Sequence, residues 1–331
     1  MTYRILSFCG GGIRGLLSAI MLQRLQAATG VNLAAQADLI VGTSTGSWIT
    51  ALLTAGLSPE ELVLFYDPGM STIMALDGQK SPDKPMFGDG LLSKLFSKVP
   101  LPVPGVLGKP LSELDRRIMV ASFEIGDETR PWSPQLIHNF PGSTTSGMSL
   151  LDAVHCSGAM PGMLAPAAIT VNGQPMRFTD GAFMHHDPTV AAIALAVANE
   201  GVALEDITVL DFGTGFMANY ISANADVANW GASQWLSPQN NAGVLPALLV
   251  NTPNPGQPIF NMMLNGTSTS LIPELAAMML GGRFAYLNPD FGGTYIAEDA
   301  VDQASLAFLK QQAAGFPLDA AQAVVQSYWT P

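Results

Sequence analysis

Residues 38–48 read DLIVGTSTGSW, and this stretch decides the fold. A short apolar run ends at Gly42, and an apolar segment with helical character continues to Gly56. A Gly-x-Ser-x-Gly turn between a strand and a helix exposes the serine hydroxyl beside a helix N-terminus, which favours developing negative charge. The pattern predicts that Ser44 is a nucleophile. The alternative is an ordinary connection made of small residues.

The preceding residues repeat the same plan. YRILSF (3–8) is predicted to be a strand, CGGGIRG (9–15) a glycine turn, and the apolar spacing that follows a helix ending at Gly30. Two such units in succession predict a parallel sheet with right-handed crossovers. Further strands are predicted within 116–126, 134–140, 174–182 and 206–215, and further helices within 58–66, 91–99, 149–162, 187–201 and 297–315.

The chain is expected to form one catalytic domain over residues 1–331. Residues 216–280 are expected to form an irregular cap or lipid channel, because Asn, Met, Trp, Pro and Gly are frequent there and no strong period appears. The candidate channel residues are Trp230, Trp235, Leu236, Met262 and Met263.

The composition excludes several classes of partner and site. The net charge of −12 argues against nucleic acid and against simple electrostatic docking on an anionic membrane. No apolar run is long enough for a transmembrane helix, and the N-terminus lacks the layout of a signal peptide. We therefore expect a cytoplasmic protein, with secretion without a signal peptide as the alternative. The two cysteines and four histidines show no metal-ligand spacing, so no metal site is expected.

Three consecutive glycines, Gly10 to Gly12, allow unhindered N–H groups to face a ligand at the start of a helix. Such a loop forms either a phosphate cradle or an oxyanion hole. Gly10, Gly12 and Gly15 satisfy the GxGxxG spacing of a dinucleotide site. However, no acid ends a second strand near Asn32 to hold a ribose, and no Gly-Lys-Ser/Thr follows to make a P-loop.

The proton acceptor for a serine nucleophile has to be sought elsewhere in the chain. Asp180 ends a predicted strand, where it is either a site residue or a turn cap. Only one strand precedes the serine turn, and no histidine follows His186, so a standard triad is not favoured. His185 and His186 are predicted to be polar loop residues, and Cys9 and Cys156 to be buried apolar groups.

These motifs together resemble the patatin-like phospholipase family. CGGGIRG resembles its oxyanion block, GTSTG its nucleophile block, CSGAMPGMLAP its proline-bounded helix, DGA its aspartate block and DFGTG its Gly-Thr-Gly strand end. The resemblance covers most of residues 4–215 and touches RFAYLNP near 283–289. The chain departs from the family pattern at Cys9, at Asp211 in place of serine, and at His186-Asp187, where Asn-Asn is frequent.

The resemblance implies a three-layer α/β/α sandwich with a mostly parallel central sheet. It also implies a Ser–Asp dyad, in which Asp180 takes the proton of Ser44 directly. An ordinary aspartate is a weak base, so burial would have to raise the pKa of Asp180.

The resemblance further implies that N–H groups of Gly10, Gly11 and Gly12 stabilise the oxyanion. Arg14 is expected to brace the glycine loop, with an exposed helix residue as the alternative.

The implied activity is that of a lipid acyl hydrolase on phospholipids, lysophospholipids or acylglycerols at a membrane or lipid surface, without a cofactor. Two alternatives remain open at this stage. An acyltransferase would use the same acyl-enzyme with an alcohol in place of water. A catalytically silent lipid-binding or storage protein would form no acyl-enzyme.

Overall fold

The computed structural model describes residues 2–78, 83–88, 90–103, 105–217, 221, 223–224, 227–236, 258–266 and 270–330, and in that part of the chain one eight-stranded sheet forms. The strands are β1 (Tyr3–Phe8), β2 (Leu39–Thr43), β3 (Arg117–Glu124), β4 (Ser133–His138), β5 (Ala167–Val171), β6 (Gln174–Asp180), β7 (Ile207–Phe212) and β8 (Phe284–Leu287). Their order is β5-β6-β3-β2-β1-β7-β8, and β4 also pairs with β3.

The sheet is parallel through its centre and antiparallel at one end. The neighbours β3, β2, β1, β7 and β8 all run in the same direction. β4 and β6 are both antiparallel to β3, and β5 is antiparallel to β6. The carboxyl ends of the parallel strands therefore meet at one edge, where sites of α/β proteins assemble.

Helices cover both faces of this sheet. They are α1 (Gly15–Thr29), α2 (Leu33–Gln36), α3 (Thr45–Thr54), α4 (Pro59–Leu64), α5 (Ser71–Asp77), α6 (Leu91–Ser97), α7 (Leu150–Gly158), α8 (Ala182–His185), α9 (Thr189–Glu200), α10 (Ala232–Leu236), α11 (Pro258–Gly266), α12 (Ile272–Leu280), α13 (Gln303–Gly315) and α14 (Asp319–Tyr328).

Alternation along the strands divides the core between the two faces. In β1, Leu6 and Phe8 pack in the apolar cluster that contains α1, α3 and α13, whereas Ile5 packs with α9 and α12. In β2, Ile40 joins the first cluster, and Leu39 joins the second. Successive side chains of a strand point to opposite faces, so each strand supports both helical layers. The predicted three-layer α/β/α sandwich is confirmed.

Local signals in the sequence set several helix ends as predicted. Gly30 closes α1 in the left-handed conformation, with φ of 70°. Ser58 caps α4: its hydroxyl accepts the Glu61 N–H at 3.2 Å, and the Glu61 carboxylate accepts the Ser58 N–H at 2.8 Å. Ser149 caps α7 by accepting the Asp152 N–H at 3.0 Å. These bonds satisfy N–H groups that have no partner within the helix.

Other elements lie where no element was predicted. β5, β8, α12 and α14 were all missed, and α5 forms in the loop-rich stretch 67–110, where one helix was expected. The last predicted helix begins at Gln303, later than expected, because Asp302 caps it. Part of the expected cap also belongs to the core, since Ala276 and Leu280 of α12 pack with Ile193 of α9.

The rest of the expected cap, and the single-domain assignment, stay predictions. Residues 237–257 lie outside the described residues. Among the residues that are described, no helix combines the length and the apolarity needed to cross a bilayer.

The capping box at Ser58 gives a test of this fold. Ser58→Ala removes the acceptor for the Glu61 N–H at the start of α4. We expect the free energy of unfolding to fall by about 1 kcal/mol, as measured by urea denaturation. Ser97→Ala, which removes an exposed hydroxyl from the end of α6, is the matched control and is expected to change little. An equal loss in both variants would contradict the capping role.

Candidate active site

Ser44 lies on a sharp turn between β2 and α3. Its φ of 54° and ψ of −121° fall outside the conformations that a side-chain-bearing residue usually adopts. Its N–H donates to the Ser157 hydroxyl at 3.0 Å, which holds the turn in place. A Cβ on Gly46 would lie 2.1 Å from the Phe8 carbonyl oxygen, so only glycine lets α3 start this close to β1. The turn holds the Ser44 hydroxyl at the carboxyl edge of the sheet.

β2 and β6 lie end to end along the same side of β3. β2 pairs with residues 117–121 of β3, and β6 pairs with residues 122–124. β4 pairs with residues 119–124, and its pairing overlaps both of the others. Because each residue of a strand has one neighbour on each side, β4 occupies one side of β3, and β2 and β6 share the other side.

The two strands meet head to head because β2 is parallel to β3 and β6 is antiparallel to it. Thr43, the last residue of β2, pairs with Ala121, and Asp180, the last residue of β6, pairs with the next residue, Ser122. Ser44 therefore follows β2 at the point where β6 ends. The sheet thus brings together Ser44 and Asp180, the candidate nucleophile and the candidate base, from distant parts of the chain.

Asp180 is fully buried beside Ser44. Its Oδ1 accepts the Ala182 N–H at 2.8 Å, whereas no described group makes a well-formed hydrogen bond to Oδ2. Burial raises the pKa of Asp180 to about 7, although the nearby Ser44 hydroxyl and the Ala182 N–H oppose the rise and Glu298 adds to it. The carboxyl group therefore titrates near neutral pH, the range in which a general base is most effective.

The glycine loop takes a conformation that requires glycine. The φ angles are 143° at Gly11 and 59° at Gly12. A Cβ on Gly11 would lie 2.4 Å from the Thr214 hydroxyl oxygen, and one on Gly12 would lie 2.3 Å from the Glu298 carbonyl oxygen. The Thr214 side chain and the Glu298 backbone thus pack directly against this loop.

The structure changes the predicted set of oxyanion donors. The Gly10 N–H donates to the His186 carbonyl oxygen at 3.0 Å and is not free to bind a ligand. The N–H groups of Gly11 and Gly12 have no hydrogen-bond partner among the described residues. Gly12 also lines the cavity that contains Ser44. Gly10 is therefore a fixed point of the loop, and Gly11 and Gly12 carry the available donors.

Arg14 is a buried residue, so its alternative as an exposed helix residue is wrong. Its guanidinium donates to the Ile296 carbonyl oxygen at 2.8 Å and lies 3.7 Å from the Glu298 carboxylate. The Ile13 N–H donates to the Glu298 carbonyl oxygen at 2.8 Å. Arg14 thus braces the loop through the segment 296–298. Sequence reasoning missed Glu298, because no local pattern marks an acid so far along the chain.

The prediction of a polar loop histidine is wrong for His186. Its side chain is buried, and its ring carbon Cδ2 lies 3.3 Å from the place that a Cβ on Gly10 would occupy. Burial, aided by the nearby Arg14 charge, lowers the pKa of His186 to about 3. The imidazole is therefore neutral at physiological pH and a weak base. Both cysteines are buried, as expected.

The cavity at Ser44 is narrow and apolar. Its volume of about 20 Å³ leaves room for about one water molecule. Gly12, Ser44 and Gly158 line it, together with the side chains of Trp48, Met70, Met74, Phe87, Leu91, Met160, Met163, Leu164 and Glu298.

The predicted channel residues lie elsewhere. Trp230 and Trp235 contact each other edge to face, with ring centroids 5.2 Å apart, and Leu236 and Met262 are largely exposed. The methionines that line the cavity come from earlier segments of the chain, and no local pattern distinguished them from core residues.

The three positions that depart from the family pattern converge beneath the glycine loop. The Cys9 Sγ lies 3.9 Å from Asp211 Oδ1, and an oxygen of the Asp187 carboxyl lies within 4.8 Å of an oxygen of the Asp211 carboxyl. Asp187 Oδ1 also accepts the Thr189 N–H at 2.9 Å, and the Thr189 hydroxyl donates to Ser7 at 2.8 Å. Burial raises the pKa of both carboxyls, and the mutual repulsion of their charges raises that of Asp211 further.

A shared proton between the two carboxyls accounts for this arrangement. It gives Asp187 and Asp211 a donor for oxygens that otherwise have no partner among the described residues. The Cys9 sulfur and one oxygen of each carboxyl also lie within 4.8 Å of one another, a spacing that a metal ion could bridge. The two neighbouring carboxyls with unpartnered oxygens fit the shared proton, and nothing in the arrangement requires a metal ion.

Removing one of these buried acids has a predictable effect on stability. Above about pH 4 the unfolded chain releases protons that the folded pair retains, so the free energy of unfolding falls as pH rises. Asp211→Asn keeps a hydrogen-bond donor for Asp187 and removes one titrating group. We expect its Tm to exceed that of the wild type by about 2–4 °C more at pH 8 than at pH 5.

The control for this measurement is Glu205→Gln, which neutralises a carboxyl on the exposed turn before β7. Thermal melts from pH 5 to pH 9 compare the two variants. A pH profile for Asp211→Asn that parallels that of Glu205→Gln would rule out the shared proton.

Comparison with known proteins agrees with this geometry. A family model described as "Patatin-like phospholipase" matches residues 6–193. The chain is 30% identical over 294 residues to "Putative sporulation hydrolase CotR" of Bacillus subtilis (strain 168), with 87% of each chain covered. It is 29% identical over 294 residues to "Protein teg" of Priestia megaterium, again with 87% of each covered, and 24% identical over 225 residues to the "cUMP-AMP-activated phospholipase" of Escherichia coli, with 64% of each covered. The glycine loop, the Ser44 turn and Asp180 all lie inside the matched range, and the chain belongs to the patatin-like phospholipase family.

Proposed function

We propose that this protein hydrolyses fatty acyl esters of lipids through an acyl intermediate on Ser44, with Asp180 as the general base. Membership of the family supports lipid acyl hydrolase activity in general terms. The observation that carries the finer proposal is the placement of Ser44 directly beside a buried carboxyl whose pKa burial raises to about 7. A nucleophile within hydrogen-bonding reach of its base is the arrangement that covalent catalysis requires.

In the first half of the reaction, the Ser44 oxygen attacks the ester carbonyl carbon while Asp180 takes the hydroxyl proton. The carbonyl oxygen becomes an oxyanion, which the N–H groups of Gly11 and Gly12 would stabilise. Losing one such donor typically costs about 3 kcal/mol of transition-state stabilisation. Collapse of the tetrahedral intermediate breaks the ester bond. The leaving alcohol takes the proton from Asp180, and the acyl group stays on Ser44.

In the second half, water attacks the acyl–Ser44 ester while Asp180 takes a proton from the water. Collapse returns that proton to the Ser44 oxygen and releases the fatty acid. One carboxyl group serves both halves because a pKa near 7 lets it both accept and return a proton at neutral pH.

The substrate class follows from the surroundings of Ser44. The cavity walls are mainly apolar and include four methionines, whose flexible side chains can adapt to an acyl chain. Phospholipids, lysophospholipids and neutral acylglycerols all present such a chain next to an ester. The Glu298 carboxyl in the same lining would disfavour an anionic group placed beside it.

The nucleophile can be identified directly. We expect a fluorophosphonate probe to form an adduct on the Ser44 peptide in mass spectrometry, and Ser44→Ala to lose both the adduct and at least a thousandfold of ester hydrolysis. Ser112→Ala removes an exposed hydroxyl and is expected to keep both. Hydrolysis that survives in Ser44→Ala would rule out the mechanism.

The base can be tested through pH. Because the carboxylate form of Asp180 is the active one, we expect kcat/KM to fall about tenfold per pH unit below about pH 7. Asp180→Asn retains an acceptor for the Ala182 N–H and should abolish hydrolysis without unfolding the protein. Asp115→Asn, at an exposed carboxyl, should leave the pH profile unchanged. A flat profile between pH 5.5 and 8 in the wild type would contradict Asp180 as the base.

A further inference from the structure

A second apolar groove lies on the outer side of α5 and α6. Its volume is about 420 Å³, within the range of lipid and small-molecule sites. Leu64, Phe65, Ile73, Leu95 and Val99 are among its lining side chains. Glu61, Thr72 and Lys98 add polar groups to a lining that is otherwise mainly apolar. Leu64 is 60% exposed, so the groove opens to solvent at this side chain.

The groove and the cavity at Ser44 share a wall one element thick. Two consecutive residues of α5 line the two spaces: Ile73 lines the groove, and Met74 lines the cavity. In α6, Leu95 lines the groove, and Leu91, one turn earlier, lines the cavity. Met70 lines the cavity immediately before α5 begins.

The shared wall is built from side chains that can move. Met70 and Met74 are unbranched, and methionine fills irregular spaces without a single preferred shape. The backbone before α5 is also irregular, since Asp67 interrupts the helical conformation with φ of −141° and ψ of 112°. The cavity itself has room for about one water molecule, so an acyl chain esterified next to Ser44 must extend beyond it.

We propose that the groove between α4, α5 and α6 is a binding site for the distal part of a long fatty acyl chain, reached from Ser44 when Met70 and Met74 move aside. The inference rests on the proposed hydrolysis at Ser44. A wall shared with the cavity, a mainly apolar lining and a volume beyond that of the cavity favour an acyl chain as the occupant. The site would make long-chain esters better substrates than short-chain ones.

The proposal predicts a change in chain-length preference when the groove is filled. Thr72→Trp adds bulk from an exposed position on the groove lining, so the core stays intact. Each methylene that loses its buried site should lower kcat/KM about fourfold. We expect at least a tenfold loss for p-nitrophenyl palmitate and less than a twofold change for p-nitrophenyl butyrate. Ile73→Phe fills the groove from its floor and should act in the same direction.

Leu76→Trp is the matched control, because it places the same side chain on the same helix at a position that is 83% exposed. It should leave both esters unchanged. Equal losses for palmitate and butyrate in Thr72→Trp would overturn the inference and leave the proposed function standing. A groove that binds a second copy of the chain would instead change the sedimentation coefficient of Thr72→Trp without altering chain-length preference, which would also overturn it.

A bifunctional probe locates the chain directly. A long-chain fluorophosphonate with a diazirine at the far end of the chain reacts with Ser44 and, after irradiation, cross-links whatever lies at that end. We expect cross-links within residues 64–77 and 91–100. Cross-links confined to residues 258–280 would overturn the groove while supporting the nucleophile. Failure to label Ser44 at all would overturn both proposals.

Discussion

The site depends on the meeting of β2 and β6 along one side of β3. Because one strand is parallel to β3 and the other antiparallel, their carboxyl ends face each other at consecutive residues, Ala121 and Ser122. This contact places Ser44 beside the Asp180 carboxyl at the sheet edge, where both side chains are buried. Burial is also what turns an aspartate, ordinarily a weak base, into a group with a pKa of about 7. The pairing of β2 and β6 with β3 therefore sets both the position of the Asp180 carboxyl and its raised pKa.

The surroundings of Ser44 and Asp180 are held by segments far apart in the sequence. The glycine loop is fixed by the His186 carbonyl at Gly10 and by the Glu298 carbonyl at Ile13. Arg14 secures the Glu298 segment in turn. Below the loop, Cys9, Asp187 and Asp211 form one buried cluster. These positions depart from the family pattern together. A proton shared by the two carboxyls gives a physical reason for the joint change. A single buried acid at either position would lack its partner.

Strong local patterns made much of this architecture predictable. The strand–turn–helix units around Ser44 and the glycine loop combine clear apolar periodicity with glycine at the turns, and the caps at Ser58 and Ser149 follow short-range rules. Elements without such signals were missed. β8 has four residues, and β5 has five and follows a loop that contains Pro161 and Pro166. The burial of His186 was missed as well, because two adjacent histidines beside a proline look like a solvated loop, and only the packing of the glycine loop covers one of them.

The sequence by itself determined which reactive groups are present: a serine on a glycine-flanked turn, an aspartate at a strand end, and a glycine loop able to present N–H groups. Residue type and local spacing suffice for these, since they depend on conformations available to a few neighbouring residues. Only the tertiary structure decided that Asp180 lies beside Ser44, that Gly10 is not a free donor, that Glu298 lines the same cavity, and that α5 and α6 separate two apolar spaces. Each of these depends on contacts between distant segments and on the exclusion of water, which short-range sequence patterns do not encode.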